Sequence, residues 1–439
     1  MRMHMPFIGI LIAGSILMPA TAGESLYDIY QQAKQQDPKI RQAQANYQAT
    51  LQNNPLAKSR ILPQLNGNLS HTVDDSQSIT RQSASISLSQ SIYQHENWLN
   101  LSTAEKQVKQ SEMRLTLSEY DLIVRVVNAY LNVLQAQDTL SFVQAEKSAI
   151  ERQLEKTKQQ LKVGISAITN LHEAQAQFDA SVAQEISAMN DIELAKEALR
   201  EITGQYHSEI KTFDTESFTP PELNPNNIND WLKIATARNP SLLEQKIAVA
   251  IAKQQIDIAS AGHLPNANFS ANYGWVDNEF EQADQTTGNI NTINSRNDGL
   301  SWTISVNVPI YSGGNTSAQT KQARQQYVAV SQALELTHRG IIKAVRSGYN
   351  DVKTTLARIN ALQQSVVSAE SALNATQAGF NVGTRTIVDV LNSTKVVFDA
   401  KRNLASARYD YIKAIINLKS ASGNLTENDV VAINNLTKD

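Results

Sequence analysis

The chain has 439 residues, a formal net charge of -3 and no cysteine. It therefore lacks the basic excess of a nucleic-acid binder, and it has neither a disulfide framework nor a lipid-modifiable thiol. A hydrophobic content of 41 % with only 6 % aromatics suits a helical protein rich in Ala, Gln, Ser and Asn.

Residues 1–22 read as a cleavable export signal. Arg2 and His4 form a short polar head, Phe7 to Leu17 an apolar run, and Ala20-Thr21-Ala22 a small-x-small cleavage site, so the mature chain is expected to begin at Gly23. The apolar run is too short to span a bilayer as a helix. Beyond Gly23 no stretch approaches eighteen uninterrupted apolar residues, which excludes an ordinary membrane-spanning helix but leaves a closed β-barrel open.

The mature chain then repeats itself. Asp37-Pro38 and Leu62-Pro63 return as Asn239-Pro240 and Leu264-Pro265, Ile92-Tyr93 as Ile310-Tyr311, and Leu161 to Gly164 as Phe380 to Gly383. These matches define a first repeat over 23–220 and a second over 221–439. The second has a longer insert between its strands near Asp277 to Asp298. Phe178-Asp179-Ala180 and Phe398-Asp399-Ala400 correspond with a one-residue slip.

Gly and Pro are absent from Asn68 to Val163, Ile165 to Ile202 and Thr384 to Ser422, which predicts very long helices reaching 204 in the first repeat and 422 in the second. The piece from about Trp98 through Phe142 to Leu161 would run for about 100 Å at 1.5 Å per residue. Along it Leu122, Val126, Ala129, Val133, Ala136, Leu140 and Val143 step by four and three as a coiled-coil seam does. Ile123, Val127, Tyr130 and Leu134 form a second seam beside the first, while Arg125, Asn128, Asn132, Gln135 and Gln137 leave other surfaces polar. A helix with two lateral seams can be a stave in a closed ring, or a member of a bundle or rod.

Strands alternate with these helices, at about 65–92 and about 266–310. Ala84, Ile86, Leu88, Gln90 and Ile92 alternate with five serines, Ala267 to Trp275 alternate with Asn and Ser, and Leu300 to Ile310 alternate with residues such as Ser301 and Thr303. A weaker run covers Leu65 to Val73. Strands of this kind, apolar on one face and small and polar on the other, suit a transmembrane barrel around a watery lumen. Four strands cannot close one, because such barrels start at about eight and lipid tolerates no open edge, so two or three chains would have to share it. A soluble β-sandwich patch is the alternative.

No catalytic signature is present: there is no Gly-x-Ser-x-Gly, no Gly-x4-Gly-Lys, no His-Glu-x-x-His and no cysteine nucleophile, so no enzyme activity and no cofactor are expected. His71, His95, His172, His207, His263 and His338 lie singly and show no metal-ligand spacing. Gly164 and Gly383 suit the left-handed position that ends a helix. Thr386 followed three residues later by Asp389 reads as an N-cap with an acid in the first turn.

The order of elements resembles the TolC family of outer-membrane export and efflux channels over essentially the whole mature chain. The stretches that carry the likeness are Gln153-Leu154, Val163-Gly164, Ala167-Ile168-Thr169, Leu199 to Gly204, Gly262 to Pro265, Pro309-Ile310-Tyr311 and, above all, Val382 to Leu391. The resemblance implies a mainly α fold with a β part: a long-helix α-barrel of twelve helices below a twelve-stranded transmembrane β-barrel shared by a homotrimer. A mixed equatorial belt would use about 205–235 and 424–439. It also implies an exit duct of tripartite efflux pumps and type I secretion systems. The duct would lie in the outer membrane, extend into the periplasm, and receive cargo from an inner-membrane transporter through a periplasmic adaptor protein. A periplasmic coiled-coil scaffold and a closed porin are the alternatives.

By the same resemblance Asp389 matches an acid projecting into the closed periplasmic entrance, where three copies would form a ring. Relatives often carry a second Asp one turn on; here that position is Asn392. Arg385 and Thr169 match one closed-state link. A second link joins a Tyr to an Asp in relatives, but the matching positions here are Phe380 and Asn170, which lack the hydroxyl donor and the charge. Val163, Gly164, Val382, Gly383 and Thr384 match the tip where adaptor hairpins dock.

Overall fold

The computed structural model describes residues 23–76, 79–213, 218–283 and 290–436, so the expected export signal lies outside the described residues. Among the described residues ten helices and four strands follow one another in two like series. The first is α1 (Leu26–Gln36), α2 (Pro38–Leu51), α3 (Asn53–Ser59), β1 (Gln64–Asp74), β2 (Ile79–Tyr93), α4 (His95–Lys162) and α5 (Ile168–Thr203). The second is α6 (Ile228–Arg238), α7 (Pro240–Ala261), β3 (Asn266–Ala283), β4 (Ile290–Asn307), α8 (Asn315–Asn381) and α9 (Ile387–Ser422), followed by α10 (Glu427–Asn434).

The repeat extends to the backbone. Asp37 and Asn239 both sit at φ -60 between two helices, and each side chain accepts the N–H three residues on, from Ile40 and Leu242. Proline follows each cap at the first helical position, where its missing N–H costs nothing. α5 and α9 are 36 residues each. Equal lengths resolve the slip: the helical position equivalent to Phe178 is Val397, so Phe398 is not the twin of Phe178.

The Gly- and Pro-free runs are continuous helices, and α4 with 68 residues is close to 100 Å long. In its upper half α4 packs between α2 and α7, with α8 beyond α7; in its lower half it packs between α5 and α9, with α8 beyond α9. The two expected seams face these neighbours. Leu122, Val126, Val133, Ile123, Val127, Tyr130 and Leu134 are buried in the main core, whereas Ala136 and Leu140 are half-buried. Three of the five polar positions are paired: Arg125 pairs with Asp37 at 2.6 Å, and Asn132 and Gln135 accept from Lys413 Nζ at 2.7 and 3.3 Å, whereas Asn128 Oδ1 and Gln137 Oε1 are buried with no hydrogen bond among the described residues.

The strands form one antiparallel sheet in the order β1-β2-β3-β4. The expected insert at Asp277 to Asp298 is mostly strand: β3 runs on to Ala283 and β4 starts at Ile290, so the hairpin is lengthened along the sheet. β4 ends at Asn307, which leaves Val308 to Ile310 outside it, before Pro309 can interrupt the ladder. Register places Leu65, Leu88, Ala271 and Trp302 in one row, Gly67, Ile86, Tyr273 and Leu300 in the next, and Leu69, Ala84 and Trp275 in a third, which Asp298 closes on β4. One face is thus largely apolar, and its Leu65, Leu69, Ile86, Tyr273, Leu300 and Trp302 are exposed in the single chain. The opposite face carries Ser83, Ser85, Ser87, Ser89 and Ser91 with Asn268, Ser270, Asn272, Ser301, Thr303 and Ser305. The apolar band ends where Arg296, paired across the strands with Asp277, lies 4.9 Å over the Trp275 ring. No helix among the described residues is long and apolar enough to cross a membrane.

Candidate functional site

The two helical hairpins, α4–α5 and α8–α9, reverse through twin turns. Gly164 and Gly383 adopt φ +75 and +78, a conformation that strains any residue with a Cβ. Ile165 N–H donates to Gln160 O at 2.9 Å and Gly164 N–H to Leu161 O at 3.0 Å; Thr384 and Gly383 donate in the same way to Gly379 and Phe380. These bonds satisfy the last carbonyls of each long helix, which would otherwise be orphaned. The turns leave aliphatic side chains in solvent: Val163 is 67 % and Val382 76 % exposed.

Beyond the turns the hairpins differ. α5 is preceded by Ala167, which offers no side-chain cap, and Asn170 Nδ2 donates to Ser166 Oγ at 3.2 Å. α9 starts with a full capping box: Asp389 Oδ2 accepts Thr386 N–H at 2.9 Å and Thr386 Oγ at 3.0 Å, while Asp389 N–H donates to Thr386 Oγ1. The Thr386 backbone and hydroxyl hydrogen bonds hold the Asp389 carboxyl below its ordinary value. Asn392 is exposed one turn further along α9.

Phe380 packs on a small apolar cluster that joins the hairpins near their tips, built on Ile150 and Leu154 of α4, Ala174 of α5, and Ile387 and Leu391 of α9. Lys156 Nζ lies 5.6 Å over the Phe380 ring and donates to Asn381 at 3.2 Å. Phe380 and Asn170 are not bonded to each other, as their side chains dictate. Within one chain no hydrogen bond joins Arg385 to Thr169 either; the Arg385 stem instead lies against Gly379, where an added Cβ would come within 2.8 Å of it.

Sequence reasoning missed the charges inside the helix interfaces. Glu146 is buried and pairs with Arg402 at 2.8 Å, and Asp138 accepts from Tyr409 Oη at 2.8 Å. The signal was there for Glu146, which stands three residues after Val143 and four before Ile150, on the line of the seam itself. His207, one of the singly placed histidines, is buried between Thr203 Oγ1 at 2.8 Å and the Glu24 carboxylate. Glu24 also forms a parallel bridge to Ile210, which ties the segment before α1 to the stretch after α5. Among the described residues no group of three or more His, Cys, Asp or Glu could hold a metal ion.

Very long paired helices, an open sheet with one apolar and one polar face, and two capped reversals at one end define a subunit of an elongated outer-membrane channel. The outer membrane efflux protein family matches residues 29–205 and 231–424, and the chain belongs to it. It is 42 % identical to outer membrane protein TolC of Vibrio cholerae serotype O1, over 95 % of both chains. It is 38 % identical to outer membrane protein TolC of Escherichia coli K12, over 98 % of this chain and 87 % of that protein. The fold matches that of CusC with a TM-score of 0.78 at 17 % identity, covering 92 % of this chain and 93 % of that one. The family's members are channel proteins, and the chain is accordingly an outer-membrane channel subunit that extends into the periplasm.

Proposed function

We propose that three copies assemble around an axis into an exit duct for tripartite efflux and type I secretion. The observation that carries the reading is the open four-stranded sheet, whose apolar face and unpaired outer edges β1 and β4 are untenable alone in lipid. Three sheets joined edge to edge give a twelve-stranded barrel with the Ser- and Asn-rich face inward. Below it, the outer flank of α8 meets α2 and α5 of the next copy and closes a tunnel of helical staves.

The reversals form the periplasmic entrance. Three Asp389 carboxylates around the axis attract cations and repel anions, and with Asn392 in place of a second acid the ring holds three charges where six are common, so divalent cations block it weakly. Arg385 reaches Thr169 of a neighbouring copy. Phe380 and Asn170 supply packing where relatives have a hydrogen bond, which leaves the closed state less firmly held. The exposed Val163, Gly164, Val382, Gly383 and Thr384 receive a periplasmic adaptor, which delivers cargo chosen by an inner-membrane transporter.

Deletion of the gene tests the reading in the cell. Drug sensitivity and loss of protein secretion, restored by the intact gene, are expected; a deletion strain indistinguishable from its parent in both respects contradicts it.

A further inference from the structure

Beyond the Trp275 row, at the end of the sheet remote from the helices, the two faces exchange character. The face that is apolar up to that row turns polar, with Asp277 against Arg296 and Glu279 against Asn294. On the opposite face Ile79, Phe280 and Ile293 stand side by side on three strands. Alternation fixes their side: Ile79 continues the β2 series of Ser83 and Ser85, Phe280 the β3 series of Ser270 and Asn272, and Ile293 the β4 series of Ser301 and Thr303. Polar outward side chains are what headgroups and water require of strands that have left the hydrocarbon. An apolar row on the side of a watery lumen meets no such requirement.

Arg81 lies one row below, on the same face. Its Nε–H donates at 2.8 Å to Oδ1 of Asn278, its cross-strand partner. That bond anchors the exposed guanidinium and leaves both Nη groups to meet another acceptor. Among the described residues no carboxylate pairs with it. Asp74, the one acid on this face among them, accepts the Ser76 N–H and hydroxyl at 3.0 and 2.6 Å. Rows on one face are about 7 Å apart, so one small molecule can touch both the cation and the apolar row.

We propose that Arg81 with Ile79, Phe280 and Ile293 forms a site for amphiphilic anions just inside the outer mouth. The Nη groups take a sulfonate or carboxylate, in the planar two-donor geometry that suits it, and the apolar row takes the hydrocarbon. The site rests on the duct reading given above, which turns this face inward and sets three sites around the axis. Twelve strands tilted by about 40° enclose a ring roughly 25 Å across. Occupied sites therefore narrow the exit, and an amphiphilic anion arriving from outside is held there.

The test is single-channel recording of the full-length mature protein in planar lipid bilayers. Protein is added to one side, where its helical body remains, and the probe to the other. Naphthalenesulfonate is expected to block the current. Arg81→Gln should raise the half-blocking concentration at least tenfold and Phe280→Ser at least threefold, while Arg81→Lys, which keeps the charge, should retain most of the block. Inorganic sulfate, which lacks the hydrocarbon, and naphthylmethylammonium, which reverses the charge, should each need at least tenfold more than naphthalenesulfonate. A conducting wild type that naphthalenesulfonate does not block, equal block in Arg81→Gln, or sulfate blocking as well as naphthalenesulfonate overturns the site. A wild-type protein that conducts nothing overturns the duct reading instead, so the two failures are distinct.

Discussion

The Tyr409 hydroxyl of α9 donates to the Asp138 carboxylate of α4 at 2.8 Å, in the interface that joins the two hairpins. Burial raises the Asp138 carboxyl above its ordinary value, although the Tyr409 hydrogen bond and the nearby Arg408 charge pull it down. Tyr409→Phe leaves that carboxylate short of a donor, and thermal or denaturant unfolding should show a loss of about 1–3 kcal/mol per chain. No loss would mean that water replaces the hydroxyl.

The same carboxyl sets a pH dependence. A group whose folded value is raised contributes stability that is present below its unfolded value and disappears as pH rises through the folded one. Asp138→Asn should flatten the decline in stability from acid towards neutral pH, measured as the unfolding midpoint against pH. A profile parallel to wild type contradicts the assignment.

Asp389 has the opposite sign within one chain. Its lowered value means that the cap it makes is present above the ordinary carboxylate range and lost as pH falls through the lowered value. Thr386→Val removes the hydroxyl donor and should move the acid loss of cation selectivity to higher pH. Asp389→Asn should abolish that selectivity at every pH. Reversal potentials in a salt gradient read both, and selectivity unchanged in Asp389→Asn would remove the acid from the pore.

At the missing link, Phe380→Tyr combined with Asn170→Asp restores a donor and a charged acceptor. The double variant should conduct less than wild type at rest, since a hydrogen bond to a charged group is worth about 1.5–3 kcal/mol. Neither single change should do so, and a double variant with unaltered conductance would show that Phe380 packing already does the work of the bond.

Much of this architecture was legible beforehand. Asp37-Pro38 and Asn239-Pro240 announced a duplicated helix pair because a cap followed by proline has one common use, and the Gly-free runs announced helices as long as α4. The strand pattern faded above Trp275, where apolar alternation stops, so the lengthened β3–β4 hairpin read as an insert. Period alone cannot show a strand that has left the apolar layer. Glu146 and Arg402 escaped for a different reason. A charged residue on a long helix normally faces solvent, and only the partner helix reveals that it does not.

The reversals offer a check on partner contact. Val163→Asp with Val382→Asp places charges on two exposed aliphatic positions. Assembly and conductance should survive while co-purification of the adaptor falls at least tenfold; undiminished co-purification would move the docking surface elsewhere.

The claim beneath all of these is that one chain is an incomplete wall and three make a hole. The native mass of the purified mature protein in detergent tests it most directly: the account predicts a species of three chains, and a stable single chain would contradict it.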